Sequence, residues 1–274
     1  MSLTQVDVIS QDGTSVVIPL RDAQVGYYFK SIEGLDPVKA EISSSPFGSV
    51  EGEQFQAARR GNRNIVMRLG FDPDFATNTV RTLRRALYRK MMPKTDIRLR
   101  FYTEDSNILE IEGKVETFET LLFTREPEAT ISILCFKPDF YDLDFITVNG
   151  TTTSGQNDTQ LLYEGDVSTG FVFKLLPSRS VNGFTIFNRD SSNQSQTLEF
   201  AYPLLAGDSL EINTNQREKG AFLNRNGSRT SILYGVSPQA DWVQLRPDWN
   251  YFRVSSIGDP IPWNLVYRAK YGGL

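Results

Sequence analysis

The chain of 274 residues contains no histidine and one cysteine, Cys135. The first absence removes Ser-His-Asp and Cys-His nucleophile systems, histidine-type zinc sites and the usual acid–base group near neutral pH. The second removes an intramolecular disulfide and a thiolate zinc site. With no imidazole to activate it, Cys135 reads as a packing residue. No run of eighteen apolar residues is present to form a membrane helix. The N-terminus "MSLTQVDVISQDG" lacks the basic start and apolar core of a secretory signal, so export by that route is not expected. The four Asn-x-Ser/Thr triplets, at Asn149, Asn157, Asn193 and Asn226, then read as turn composition rather than glycan acceptors. Neither a phosphate-binding loop nor a dinucleotide fingerprint occurs, and the glycines fall singly at turns. A formal charge of -4 argues against a general nucleic-acid binder. No catalytic residue, metal or cofactor is expected. A glycosidase carboxylate pair cannot be singled out among 33 acidic residues, which leaves a structural role as the stronger reading.

What is present is mostly strand signal. In "NIVMRLG", Ile65, Met67 and Leu69 share one face while Asn64, Val66 and Arg68 share the other. The one convincing helix, over about residues 78–91, is "TNTVRTLRRALYRKMMP". Val80, Leu83, Leu87 and Met91 recur on one side, Thr77 or Asn78 can cap its start, and Pro93 stops it. Its other side carries Arg81, Arg85 and Arg89, with Arg84 and Lys90 nearby. A basic stripe without interleaved aromatics favours a protein contact over nucleic acid.

Between the first strands and this helix lies "EISSSPFGSVEGEQFQAARRGNRN". A loop of that length inside a domain is functional or disordered. Phe47 and Phe55, with Arg59 and Arg60 behind them, suggest an arm that orders against a neighbouring subunit; a plain flexible loop is the other reading. Alternation resumes in "NILEIEGKVETFE". Leu109, Ile111 and Val115 form a core side, with Gly113 in line, and Glu110, Glu112, Lys114 and Glu116 form a charged, mainly acidic side. In "ATISILCFKP" both faces are apolar, as expected of a strand covered on both sides.

After Tyr141 the composition changes, and "VNGTTTSGQNDTQ" reads as a domain boundary or an early loop of a second domain. Short strands follow at near-regular spacing with no helical pattern between them, which indicates a sandwich or barrel. Asn226-Gly227 suits a type I′ hairpin, because both central residues of that turn need positive φ. The expected architecture is therefore mainly β in two domains, residues 1–144 with one helix and residues 145–274.

The order "AGDSLEINTNQREKGAFLNRNG", "LYG", "WVQLRPDWNYFRV" and "WNLVYRAKYGGL" resembles the C-terminal half of distal tail proteins from long-tailed bacteriophages. "ISILCFKPDFYD" closes the first half in a similar way. The resemblance implies a tail-tube-like, ring-forming N-terminal β domain and a galectin-like C-terminal β-sandwich, with the last strand returning to the first domain. It also implies a homo-hexamer at the tail tip of the virion, made in the host cytoplasm. Its partners would be the tail tube protein, the tail hub or tail-associated protein and the tape-measure protein, with DNA only in passage and no membrane. On that reading the acidic face at Glu110, Glu112 and Glu116 either lines the channel or is simply solvated. The alternative is a carbohydrate-binding tail module. Galectins bind galactose with a histidine, an arginine and a tryptophan, and this chain has no histidine; of its three tryptophans, Trp242 and Trp263 fall in apparent strands and Trp249 in a turn.

Overall fold

The computed structural model describes residues 3–20, 26–48, 51–105, 107–121 and 124–274. It is mainly β, and among the described residues the one α-helix lies in the first half. The chain divides into two compact units, residues 1–143 with 271–274, and residues 144–270.

In the first unit the chain runs through β1 (Leu3–Ser10), β2 (Ser15–Pro19), β3 (Tyr27–Glu33), β4 (Ala40–Pro46), β5 (Glu53–Arg60), β6 (Arg63–Phe71), α1 (Val80–Lys90), β7 (Asp96–Thr103), β8 (Ile108–Leu121), β9 (Glu128–Cys135) and β10 (Phe140–Asp142). The main sheet has the order β2-β1-β7-β8-β9-β6-β3, and every adjacent pair in it is antiparallel. It curls until the strands at its two ends, β2 and β3, approach each other. Period-two alternation places Val6, Leu99, Ile111, Ile131, Ile133, Ile65 and Met67 in one core. Fully burying a side chain of that size contributes about 1.5–3 kcal/mol.

The helix covers this core with Leu83, Leu87 and Met91, while Val80 packs against its margin. Its N-cap is Thr79, not Thr77 or Asn78. The Thr79 hydroxyl accepts from the Thr82 N–H, and the Thr82 hydroxyl accepts in turn from the Thr79 N–H, a reciprocal box. β8 bulges between Val115 and Thr117, which switches the inward set from odd to even residues. Gly113 is needed there for close approach, since a Cβ would lie 2.6 Å from Ile133 Cγ2 and 2.8 Å from Cys135 Sγ. Burial pushes the Cys135 thiol up to about 12, consistent with an inert packing residue. The expectation that β9 is covered on both sides fails at its end, because Phe136 is about half exposed.

The first unit is closed by a buried cation. The Arg63 guanidinium donates to the carbonyls of Pro138 at 2.6 Å, Gly34 at 2.5 Å, Asp36 at 2.7 Å and Gly272 at 2.5 Å, and lies 4.4 Å from the Phe140 ring centroid. Four carbonyls replace the water that a buried charge loses. Through Gly272, and through Leu274 N–H donating to the Leu35 carbonyl, the last residues of the chain become part of this unit.

The second unit comprises β11 (Ile146–Thr151), β12 (Thr159–Tyr163), β13 (Val172–Leu175), β14 (Phe184–Asp190), β15 (Ser195–Phe200), β16 (Ser209–Asn213), β17 (Gly220–Arg225), β18 (Ser228–Ser231), β19 (Asp248–Ser255) and β20 (Pro262–Tyr267); β21 (Lys270–Tyr271) follows and pairs with β10. One sheet has the order β11-β20-β13-β16-β17-β18 and the other β12-β19-β14-β15. The two pack as a sandwich through rings. Phe173 of β13 meets Phe184 of β14 at 5.8 Å, and Phe252 of β19 meets Trp263 of β20 at 5.3 Å. "VNGT" is not a linker but the greater part of β11, paired with β20. Asn226 and Gly227 take φ of 53° and 78° between β17 and β18, as a type I′ turn requires.

Candidate assembly surfaces

The polar stretch read as a long loop is an antiparallel ribbon. β4 pairs with β5 from Ala40 opposite Arg60 to Pro46 opposite Glu53, apart from the main sheet. Its own sequence explains the ribbon. Ile42 and Phe55 suit extended backbone, and the side chains of Ser44 and Glu53 hydrogen-bond across it. Almost none of it is buried. Ile42, Phe47 (52% exposed) and Phe55 (63% exposed) stand in solvent. A two-stranded ribbon with no apolar cover is marginal alone.

The ribbon is held at its root. Arg59 Nε lies 2.7 Å from Glu41 across the strands, and Arg60 makes a two-pronged contact to Asp139, at 2.5 and 3.2 Å. Arg60, one of the residues expected in the arm, thus anchors the ribbon within the chain. Phe75, 79% exposed ahead of α1, is a further apolar residue on this unit's surface that the sequence did not single out.

On α1, Arg81, Arg85 and Arg89 all point to solvent, as their spacing requires. Lys90 reaches Asp12 at 3.4 Å and Arg84 stacks over Tyr88, whereas none of the other three has an ion pair among the described residues. The structure therefore keeps the stripe intact.

The acidic side of β8 is more divided than expected. Glu110 is buried, with Arg100 Nε at 2.8 Å and Arg98 at 3.7 Å, so it is neutralised and not a free surface charge. Asp7, one strand further, accepts from the Tyr102 hydroxyl at 2.9 Å. This part of the face is a lattice of alternating charge across β1, β7 and β8. Lys114 closes on Asp96 at 2.6 Å. Glu112 and Glu116 are exposed and have no cationic partner among the described residues; Glu116 accepts only from Ser132, at 2.9 Å. Glu119 is likewise exposed. Cross-strand spacing was readable from the sequence, but which carboxylates the basic strand β7 would neutralise required the register.

In the second unit several carboxylates hold arginines. Asp158 holds Arg253 at 3.0 Å and Arg189 at 3.7 Å, Asp190 holds Arg246 at 2.5 Å, and Asp208 holds Arg225 at 2.7 Å. Buried Asn188 and Asn250 join each other at 3.0 Å. Trp263 is core, Trp242 lies outside any strand with Lys219 at 5.4 Å from its ring, and Trp249 sits on β19, 47% exposed, rather than in a turn. Among the described residues no group of three or more histidine, cysteine, aspartate or glutamate side chains could hold a metal, and no helix is long and apolar enough to cross a membrane.

Among solved structures, the chain is similar to the Dit protein (gp 19.1) of phage SPP1, described as a paradigm of the hub adsorption apparatus in phages infecting Gram-positive bacteria. The TM-score is 0.69 at 17% identity, over 97% of this chain and 98% of that one. The two therefore share a fold from end to end. Chains of the phage p2 baseplate, in its activated conformation with strontium and with calcium, match at 10% identity with TM-scores of 0.48 and 0.46, over 97% and 96% of this chain and 98% and 97% of theirs. Likenesses below one half carry no weight. No protein-family model and no curated protein matches the chain.

Proposed function

We propose that this chain is a structural, non-enzymatic protein of the tail tip of a long-tailed bacteriophage. Six copies form a ring that joins the end of the tail tube to the central hub and leaves a channel through which DNA passes. The first unit is the tail-tube-like, ring-forming domain. The second is a galectin-like sandwich that presents a rim to neighbouring tail-tip proteins. Its partners are further copies of itself, the tail tube protein, the tail hub protein and the tape-measure protein, and its place is the distal end of the tail in the virion.

The observation that carries this reading is the end-to-end likeness to the SPP1 protein, over 97% of the chain. The first unit adds physical support. Its ribbon exposes Ile42, Phe47 and Phe55, an arrangement that gains stability only when another surface covers it. Exposed Trp249 favours the alternative, a carbohydrate-binding module, but the neighbouring Arg189 and Arg253 are already engaged by Asp158.

The test replaces residues 41–59 with a short Gly-Ser turn, keeping Arg60 and its contact to Asp139. The intact chain should self-associate in sedimentation experiments, and the shortened chain should remain folded and lose most of that association. Equal association of the two would remove the arm from the interface.

A further inference from the structure

We propose that the arginine stripe of α1 in one copy docks on the unpaired carboxylates of β8 in the next, a head-to-tail contact between two different faces of the same unit. This rests on the ring-forming reading above and names the surfaces it would use.

The argument begins with what the stripe costs the isolated chain. The segment Val80–Lys90 holds five basic residues, Arg81, Arg84, Arg85, Arg89 and Lys90, and no acidic residue, and Arg81 is the worst placed of them. It lies in the first turn, where the helix dipole presents its positive end and where no carboxylate offsets it. Arg81, Arg85 and Arg89 repeat at four-residue spacing, and each such like-charged pair destabilises a helix by about 0.2–0.5 kcal/mol. Nothing within the described residues repays that cost, since the three guanidinium groups make no ion pair there. An arrangement unfavourable to the monomer and held in one straight row has its use at an external anionic surface.

The same chain supplies such a surface. Glu112, Glu116 and Glu119 are exposed on β8 and lack a cationic partner among the described residues. The arginine nearest in register to Glu112 is Arg98, which turns instead to Glu110. Lys114, between Glu112 and Glu116, is already neutralised by Asp96. The spacings agree over the Glu112–Glu116 part of the row, with Glu119 lying beyond it: Arg81 to Arg89 spans about 12 Å along the helix, at 1.5 Å per residue. Glu112 to Glu116 spans about 13 Å along the strand, at roughly 3.3 Å per residue.

The two faces cannot satisfy each other within one copy. The helix lies beside the inward side of β8, where Tyr88 meets Phe118 at 4.7 Å and its hydroxyl lies 3.4 Å from that of Thr120. Glu119, between Phe118 and Thr120, points the opposite way. Two distinct complementary patches on one molecule make a heterologous contact, which closes into a ring when the rotation permits.

Charge exchange tests this. The variant R81E/R85E/R89E and the variant E112K/E116K/E119K should each weaken self-association of the full chain by about tenfold or more at low salt, with unchanged circular dichroism. Combining all six substitutions in one chain should restore association, and so should mixing the two triple variants, which would alternate around an even-numbered ring. Association of the parent chain that neither triple variant alters would overturn the contact and leave the ring reading standing. Weakening by both that neither combination restores would also overturn it. A parent chain that stays monomeric at every concentration would overturn both readings. If the arginine variant instead loses binding to a duplex DNA fragment that the parent retains, the stripe is a nucleic-acid surface and the proposal fails.

Discussion

The two units solve the same problem, a β core with charged edges, in different ways. The second neutralises its buried carboxylates from within. Its sheets meet through Phe173, Phe184, Phe252 and Trp263, and its carboxylates Asp158, Asp190 and Asp208 each hold an arginine. The first has an equally buried core but leaves a ribbon with Ile42 and Phe55 exposed, an arginine row, and three carboxylates without a cationic partner among the described residues. Its most elaborate internal device, Arg63, ties in the last residues of the chain. The second unit also exposes apolar residues, Phe145, Tyr234 and Ile257 among them, so the contrast lies in the uncovered ribbon and the oppositely charged rows of the first, complementary features that suit a unit that assembles.

The sequence provides a reporter for each unit. All three tryptophans lie within residues 144–270, and Cys135, the one cysteine, lies in the first unit. The largest effect is expected at Arg63. Arg63→Ala leaves a cavity and four carbonyls without their donor, at a cost of about 3–5 kcal/mol. Alkylation of Cys135, slow in the parent because the thiol is buried and neutral, should accelerate by roughly two orders of magnitude or more, with tryptophan fluorescence unchanged. Alkylation at the parental rate would show that the clasp does not hold the first unit together.

A smaller effect belongs to the second unit. The Arg225 guanidinium, donating to Asp208, holds that carboxyl below its usual range. A depressed carboxylate pKa contributes stability above the unfolded value, about 3.9, and that stability is lost as pH falls through the lower folded value. Asp208→Asn should therefore cost about 1–2 kcal/mol at pH 7, read by tryptophan fluorescence in urea. The difference from the parent should shrink below about pH 4; a deficit that persists unchanged in acid would assign the loss to packing instead of charge.

The smallest is the helix cap. Thr79→Ala should lower the stability of the first unit by about 1 kcal/mol, while Thr77→Ala should leave it within experimental error. Equal losses from both would contradict the observed box between Thr79 and Thr82.

What was legible in the sequence followed local periodicity. The face of α1, the inward set Leu109, Ile111 and Val115, and the Asn226-Gly227 turn each depend on neighbours a few residues away, and each appears as read. The misses depend on partners far along the chain. Glu110 looked like surface because its neutralising arginines lie on β7, and the Arg60 contact gave no signal because Asp139 is distant in sequence. Arg63 gave no signal at all, since a cation bound by backbone carbonyls leaves no pattern of side chains. The ribbon was missed for a different reason: a pair of strands with no buried face lacks the alternation by which strands are recognised.

The central claim is that this chain assembles into a closed ring through its first unit. Electron images of the purified full chain, with its native mass measured on the same sample, test that most directly. The account predicts six-fold particles with a central opening and a mass of six chains. A homogeneous monomer at every concentration tried, with both units folded, would contradict it.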